Sequence, residues 1–408
     1  MFVAQSLPPY GYRCYRIEPA AGGGDAPLRA APGAVSISRD GVRLENDRLR
    51  LLIDPAKGTI QSLFDKRAGR EAVPPGGSLN RLESYESGGG GGAWHFGRIL
   101  SMEALEEPVS LRVVESGPER ATVEFKRRFR QSPITQRISL AAGSPLVDFE
   151  FTVDWKELGQ YGGSCPSLRI AMDADLATTP AATYEIPFGS IERPLSDGEQ
   201  VALKWADLSD GEYGISLLND SKHGYVAQGR TLRLTLVRSS AMPDPAPDQY
   251  VQTIRYALYP HAGDWRDAGT IALAAALNHP VVACAVPAPS GEARGLPAEL
   301  SFVQIDAANL AIAGIKRAED DDDLVVRLYE SAGRATDARL ATAWPIAGAV
   351  RTNFIEDTIG EPVKAAGGSA KVAARPHEIQ TLKLQLRPVA GVVLSGTRGP
   401  GPARDFQD

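Results

Sequence analysis

Short runs in which apolar and polar residues alternate recur along most of the 408-residue chain. A clear example is residues 49–53, which stop at Asp54-Pro55 and resume at 60–64 after Gly58. A period of two places alternate side chains on opposite faces of a strand, and Asp, Pro and Gly between two such runs predict a hairpin. Further strand candidates lie at 111–114, 121–129, 136–140, 146–155, 168–172, 214–218, 224–228, 232–237, 253–258 and 270–275.

No apolar pattern of period 3.6 continues for more than about two helical turns. The chain also contains 41 Gly and 30 Pro, an excess that favours turns over long helices. The sequence therefore predicts an almost all-β protein. Three Gly-rich places interrupt the strands, and five consecutive glycines at 88–92 are interpreted as a surface loop because they lack the Lys and Ser or Thr of a phosphate-binding loop.

Breaks rich in Ala, Gly and Pro divide the chain. Residues 1–33 are predicted to form an N-terminal strand and a linker, and a second break near 286–298 separates a large β unit from a smaller one. The four predicted segments are the N-terminal strand and linker at 1–33, the large unit at 34–290, the small unit at 298–390 and a tail at 391–408.

The smaller unit carries strand signals at a spacing typical of a small immunoglobulin-like β-sandwich. These signals lie at 301–305, 310–315, 324–329, 348–354 and 378–387. The acidic run 319–323 falls between two of them and predicts a solvated hairpin tip. A calcium-binding loop would need spaced ligands and a Gly at its sharp turn, and this run has neither.

Charge and cysteine content indicate which classes of partner and which cellular compartment to expect. With 44 basic and 50 acidic residues, the net charge is -6, so there is no basic excess of the kind that marks proteins binding nucleic acid or anionic membranes. The N-terminus lacks the pattern of a signal peptide, and no run approaches the ~18 apolar residues of a spanning helix. Cys14, Cys165 and Cys284 form no C-x-x-C motif and are interpreted as reduced thiols. We therefore expect a cytoplasmic protein.

The chain contains no self-contained catalytic or metal motif. Its five histidines show neither H-x-H nor H-E-x-x-H spacing, and G-x-S-x-G is absent. Polar and aromatic residues are densest at 184–266. Aromatic faces combined with Arg and Asp suit a sugar, which offers both C–H faces and hydroxyl groups. For any single residue of this segment, a place in the core is the competing interpretation.

Several blocks in this segment resemble one family. YEIPFGSIERP at 184–194, WADLSD at 205–210, LLND at 217–220 and YALYPH at 256–261 are similar to the C-terminal half of the family 38 glycoside hydrolases, the α-mannosidases. Downstream, PHEIQT at 376–381 is similar to the last β-domain of that half. The similarity is collinear and extends over nearly the whole chain.

The resemblance implies an all-β fold, with a galactose-mutarotase-like β-supersandwich followed by the small immunoglobulin-like β-sandwich. In this family a preceding α/β barrel holds the zinc, the nucleophilic Asp and the acid. None of these is expected in this chain, so we assign it no catalytic residue and no metal site, and we expect zinc only in the barrel domain. The chain is thus expected to be a non-catalytic portion whose partners are a mannoside and a catalytic barrel domain or subunit.

The resemblance also implies that a loop after the strand ending at Arg238 reaches the rim of the sugar cleft. Here that loop is residues 239–250, and Tyr250, Gln252 and Ile254 stand where the family usually has Gly, His and Phe. Tyr250 cannot adopt a positive φ as cheaply as Gly, so altered substrate contacts are expected. The predicted substrate-binding residues are Arg238, Asp244, Asp248, Tyr250, His261 and Trp265.

Two other functions remain open on the sequence. A stand-alone carbohydrate-binding protein would present Trp205, Tyr250, His261 or Trp265 in an open groove. A mutarotase-like or lyase enzyme on the same fold would need a His–Glu or Tyr–Arg constellation on its concave face, and only fold analogy motivates it.

Overall fold

The computed structural model describes residues 2–4, 6–17, 33–88, 92–94, 97–107, 109–286 and 297–387. The chain divides into two compact units. The first comprises residues 1–4 and 23–282, and the second comprises residues 5–22 and 283–408. The five-glycine segment between 88 and 92, the break near 286–298 and the tail at 391–408 lie partly or wholly outside the described residues.

The N-terminal strand is β1 (Gly11–Arg13), which belongs to the second unit. The strands of the first unit are β2 (Ser36–Ile37), β3 (Arg43–Glu45), β4 (Leu49–Ile53), β5 (Ile60–Asp65), β6 (Arg70–Glu71), β7 (Arg81–Ser87), β8 (Ile99–Ala104), β9 (Ser110–Ser116), β10 (Arg120–Phe129), β11 (Ser132–Ala141), β12 (Val147–Asp154), β13 (Cys165–Asp173), β14 (Ala181–Ile186), β15 (Gly189–Arg193), β16 (Gln200–Val201), β17 (Trp205–Ser209), β18 (Tyr213–Asn219), β19 (Gly224–Gln228), β20 (Thr231–Arg238) and β21 (Val251–Ala262).

These strands form three antiparallel sheets. The largest has nine strands in the order β15-β14-β17-β18-β21-β12-β11-β10-β9, the second has six in the order β16-β19-β20-β13-β7-β8, and the third has five in the order β2-β3-β4-β5-β6. Alternation decides which side chains face inward. Phe149 and Phe151 of β12 and Ile170 of β13 share one buried apolar cluster, so the nine-stranded and six-stranded sheets pack through a common core. The predicted all-β supersandwich is confirmed.

One predicted strand is wrong. Residues 270–275 lie in α2 (Thr270–Asn278), which follows the short helix α1 (Trp265–Ala268). The sequence TIALAAALN is rich in Ala and Leu, which favour helix, and its apparent alternation does not outweigh that propensity. Asp264 caps α1 by accepting the backbone N–H of Arg266 at 2.8 Å, and Gly269 at φ +77° separates the two helices. Neither helix of the described chain is long and apolar enough to cross a membrane.

The outer face of the nine-stranded sheet carries a ladder of alternating charge. Arg112 and Arg137 both pair with Glu124, at 2.9 and 3.0 Å, and Arg137 also pairs with Glu150 at 2.9 Å. Arg255 lies opposite Glu150 in the register. Directly opposite unlike charges on one face stabilise a strand pairing, so the ladder favours the observed register of five adjacent strands.

This ladder leads to a modest prediction. Arg137→Ala removes the central cation and leaves the buried Glu124 with fewer partners, so we expect the free energy of unfolding to fall by about 1 kcal/mol. Urea denaturation of the natural chain and the variant measures the change. Arg112→Ala, at the exposed end of the ladder, is the control and should cost less than about 0.5 kcal/mol. An equal loss for both variants would contradict the central role of Arg137.

In the described part of the chain, the second unit contains β1 and ten further short strands. They are β22 (Glu299–Ser301), β23 (Val303–Ile305), β24 (Leu310–Arg317), β25 (Leu324–Glu330), β26 (Thr336–Thr342), β27 (Ile346–Thr352), β28 (Thr358–Ile359), β29 (Ala365–Ala366), β30 (Ser369–Ala374) and β31 (Ile379–Leu386). Two sheets, in the orders β23-β26-β30-β29 and β24-β25-β31-β27-β28, pack around one apolar cluster, and β1 pairs with β22. The predicted small sandwich is confirmed.

The acidic run 319–323 is a hairpin tip, as predicted. It joins β24 to β25, where Arg317 lies opposite Leu324 and the backbone N–H of Ala318 donates to the carbonyl of Asp323 at 2.9 Å. Lys383 on the neighbouring strand pairs with Asp321 at 2.5 Å, and Arg317 pairs with Asp322. The acidic side chains therefore meet cations of their own sheet.

Candidate functional site

The loop at residues 239–250 connects β20 to β21 and is tied at both ends to one residue. Near its start, Ser239 Oγ donates to the carbonyl of Glu157 at 2.8 Å, and near its end Gln249 Nε2 donates to the same carbonyl at 2.8 Å. The indole N–H of the buried Trp155 donates to Ser239 Oγ. These bonds hold the backbone of the loop in one position on the first unit. The outward side chains of the loop are therefore attached to a rigid backbone.

Arg238, the last residue of β20, lies where the loop begins. Its Nε donates to Ser87 Oγ at 3.4 Å and its Nη1 to the carbonyl of Gly92 at 3.2 Å. The guanidinium is half-buried, and its charge acts on the nearby carboxyl of Glu199. Arg238 therefore ties the loop base to β7 and to residue 92.

Asp244 and Asp248 both lie in the loop but differ in their surroundings. Asp244 is exposed, and its Oδ1 accepts the backbone N–H of Ala246 at 2.9 Å. Asp248 is half-buried at φ +63°, a left-handed conformation that Asp tolerates better than most residues. Burial raises the pKa of the Asp248 carboxyl, and the Lys222 ammonium opposes that rise. The positive φ of this loop thus falls on Asp248.

Tyr250 projects outward at the end of the loop. Its side chain is 59% exposed, and its backbone N–H donates to the carbonyl of Asp248 at 2.8 Å. Its φ is not among the positive values of the described residues, so the lost Gly creates no strain at this position. The sequence predicts backbone strain at Tyr250, but the residue of this loop with a positive φ is Asp248, two positions earlier. An exposed aromatic ring on a fixed backbone is suited to stacking on the apolar face of a sugar.

Lys222 and Gln252 reach the loop and were missed as site residues. Lys222 Nζ donates to Gln252 Oε1 at 3.4 Å, and Gln252 Nε2 donates to the carbonyl of Asp248 at 3.1 Å. Burial lowers the pKa of the Lys222 ammonium, while Asp248 and Asp220 act in the opposite direction. The departure from the family at Gln252 was visible in the sequence. The contact with Lys222, 30 residues away, required the fold.

His261 and Trp265 lie away from this surface. His261 is 1% exposed and Trp265 is 2% exposed. His261 Nε2 lies 2.8 Å from Asp207 Oδ2, which also accepts Ser216 Oγ at 2.7 Å, and Trp265 packs on Trp205 with ring centroids 4.8 Å apart. Both side chains therefore belong to the buried contacts beneath α1 and α2, and in this fold they offer no surface to a ligand.

A metal ion needs a donor set of converging side chains. No three side chains of His, Cys, Asp or Glu converge within the described part of the chain. That the zinc of the family lies in a separate barrel domain stays a prediction.

The fold defines a large antiparallel supersandwich and a small β-sandwich, and the loop at 239–250 marks one surface of the larger unit. The sequence model described as "Glycosyl hydrolases family 38 C-terminal domain" matches residues 44–246, and that described as "Glycosyl hydrolases family 38 C-terminal beta sandwich domain" matches residues 309–382. Together the two matches span more than half of the chain, one in each unit. The chain belongs to glycosyl hydrolase family 38 and corresponds to the C-terminal domains of that family.

Similar proteins agree with this assignment. Alpha-mannosidase G of Dictyostelium discoideum is 29% identical over 93% of this chain, and Alpha-mannosidase 2C1 of Homo sapiens is 30% identical over 85% of it. These matches cover 36% and 34% of the relatives, so the chain spans about a third of their length. A crystal structure of an alpha-mannosidase from Enterococcus faecalis V583 has a TM-score of 0.71 and 17% identity, covering 87% of this chain and 43% of that one. That likeness supports the fold.

Proposed function

We propose that this chain supplies the non-catalytic C-terminal portion of an enzyme that hydrolyses α-mannosides, and that its loop at 239–250 shapes the rim of the sugar cleft. The observation that carries the proposal is the loop itself. It is held at both ends by the carbonyl of Glu157, while Tyr250 and Asp244 remain exposed. An aromatic ring on a fixed backbone, in the same loop as the carboxylates of Asp244 and Asp248, can combine stacking with hydrogen bonds to hydroxyl groups.

The catalytic groups come from a family-type α/β barrel, carried in the same polypeptide or in a separate subunit. Under this proposal the zinc belongs to that barrel, and the partners of this chain are the barrel and a mannoside. Binding energy from groups remote from the reacting bond helps to orient a substrate, which is the role a cleft rim performs.

The proposed location is the cytoplasm. All three cysteines, Cys14, Cys165 and Cys284, are free thiols in the structure, with Cys14 and Cys284 exposed. Exposed unpaired thiols are typical of a reducing compartment.

The first test uses the chain alone. The purified 408-residue protein is expected not to hydrolyse an aryl α-mannoside, with or without added zinc, because the described residues hold no metal-ligand cluster. Release of the aryl group is followed by absorbance. Turnover proportional to the concentration of this chain would contradict the proposal that the catalytic groups lie in the barrel.

The second test uses the complete enzyme, formed with the barrel region encoded beside or upstream of this chain. Tyr250→Ala is expected to raise KM for an oligomannoside several-fold with a smaller effect on kcat, since stacking on a remote sugar contributes uniform binding. Ile191→Ala, on the edge strand β15, is the control for loss of an exposed apolar side chain. Unchanged kinetics for Tyr250→Ala would exclude the loop from the cleft.

A further inference from the structure

A cluster of polar side chains lies on the six-stranded sheet, on the face opposite the apolar core, with Ser167 and Tyr85 buried and Thr235 half-buried. Leu168 and Leu234 point into the core, so their strand neighbours Ser167 and Thr235 point to the other face. Tyr85 of β7 lies directly opposite Ser167 of β13, and the Tyr85 hydroxyl is 3.3 Å from Thr235 Oγ1 of β20. Three neighbouring strands therefore contribute hydroxyl groups to one patch.

Glu199 reaches this patch from the segment before β16. A Cβ atom at Gly224 would stand 1.5 Å from Glu199 Oε1, so the carboxyl occupies space that only a glycine leaves open. Thr235 lies close enough to this carboxyl for its hydroxyl to lower the carboxyl's pKa. Nearby, the backbone N–H of Ser196 donates to the carbonyl of Ala227 at 2.8 Å, which anchors the segment to β19.

The Glu199 carboxyl is incompletely satisfied. Its Oε2 atom is buried and has no hydrogen-bond partner among the described residues. Burial raises the pKa of Glu199 to about 7, and Thr235, Arg238 and Arg169 oppose the rise. The charged and titratable groups that face it are Tyr85 on β7, Arg169 on β13 and Arg238 on β20. His223 precedes Gly224, and its Nδ1 lies 3.0 Å from the carbonyl of Ala202.

Solvent reaches the edge of the patch, because Glu199, Thr235 and Arg238 are half-buried. The chemistry there is mixed. The Glu199 carboxylate can accept hydrogen bonds, the Arg238 guanidinium can donate them, and the Thr235 hydroxyl can do both. Adjacent hydroxyl groups of a sugar ring can donate to the carboxylate and accept from the guanidinium. A ligand anion would instead meet the like charge of ionised Glu199.

We propose that Glu199, Thr235 and Arg238 form a binding site for a free hydroxyl-rich monosaccharide on the six-stranded sheet. The choice of a sugar as the ligand rests on the function proposed above, whereas the site itself is separate from the loop residues Asp248 and Tyr250. Hydroxyl donors favour the ionised carboxylate over the neutral acid, so ligand binding is coupled to release of a proton.

The experiment is a calorimetric titration of the whole chain with D-mannose at pH 6 and at pH 8. If only the ionised carboxylate binds, its fraction rises from about 0.1 to about 0.9 over this interval, and the affinity is expected to be about tenfold higher at pH 8. Repeating the pH 6 titration in buffers of different ionisation enthalpy should show proton release. Glu199→Gln should weaken binding at pH 8 by about tenfold and remove the pH dependence.

Glu192→Gln, on the exposed edge strand β15, is the matched control and should bind as the natural chain does. Loss of the pH dependence in Glu199→Gln, and not in Glu192→Gln, separates this site from the cleft rim. Equal affinity at the two pH values, normal binding by Glu199→Gln, or no heat up to about 50 mM mannose would each overturn the site. The kinetic effect of Tyr250→Ala in the complete enzyme would still stand, because it tests the rim alone.

Discussion

Glu83→Ala is expected to lower the free energy of unfolding by about 3–5 kcal/mol, a large share of the stability of a domain. Glu83 is buried on β7, and its Oε2 accepts from Arg169 Nε at 2.9 Å and from Arg233 Nε at 3.0 Å. Arg81 pairs with its Oε1 at 3.2 Å. Removing the carboxylate leaves two buried guanidinium groups without their common partner, and an uncompensated buried charge is costly.

Chemical denaturation with urea measures this loss, with Glu103→Ala as the control. Glu103 is exposed on the neighbouring strand β8, and its carboxylate accepts one long hydrogen bond, from Ser84 Oγ at 3.4 Å. Its loss should therefore cost less than about 0.5 kcal/mol. Replacing Glu83, Arg169 and Arg233 together by methionine should recover part of the stability, because no charge then remains unpaired. A cost below about 1 kcal/mol for Glu83→Ala would show that the arginines find other partners.

The strands were largely predictable because alternation is a local signal. In β12, every second residue from Val147 to Val153 is buried, and this periodicity is legible in the sequence. The helix α2 was not predicted because a short Ala-rich run satisfies a strand pattern and a helix propensity at once. Whether this run forms a helix or a strand depends on the residues it packs against. These include Trp205 and Leu218, more than 50 residues earlier in the chain.

The loop at 239–250 could be identified only through the family resemblance, since no local rule marks it. The sequence could not separate Tyr250 from Trp265, because both are aromatic residues near the same segment. The fold separates them: Tyr250 is exposed and Trp265 is covered by its contact with Trp205. Glu199 carried no signal at all, because its partners Tyr85, Gly224 and Thr235 come from three other strands.

The six-stranded sheet thus concentrates charge on its non-core face in two ways. Glu83 is enclosed by arginines, and its pairing stabilises the sheet. Glu199 lies at the half-exposed edge with an unsatisfied oxygen, and it is held against hydroxyl groups and Gly224. A buried carboxyl without a close ion pair remains protonated to a higher pH, so Glu199 is expected to keep its proton at pH values where an exposed glutamate has lost it.

This difference gives the second large prediction: between about pH 4.5 and pH 7 the free energy of unfolding should fall as the pH rises, by about 3 kcal/mol from Glu199 alone. In the folded chain Glu199 has a pKa of about 7, against an ordinary value of 4.5. The folded state therefore keeps its proton over this interval while the unfolded chain has lost it. The stabilisation is fully present below pH 4.5 and is lost as the pH rises through 7.

Comparison with Glu199→Gln isolates this contribution. The amide stays neutral, so the variant should match the natural chain near pH 4.5 and be more stable than it by up to about 3 kcal/mol at pH 8. Burial also raises the pKa of Asp148 to about 6, which adds a slope of the same sign, but that slope is common to both proteins and cancels in the difference. Urea denaturation at a series of pH values gives the difference directly. A constant difference across pH 4.5 to 8 would mean that Glu199 ionises normally in the folded chain, and the carboxyl would then have to be solvated rather than held against Gly224.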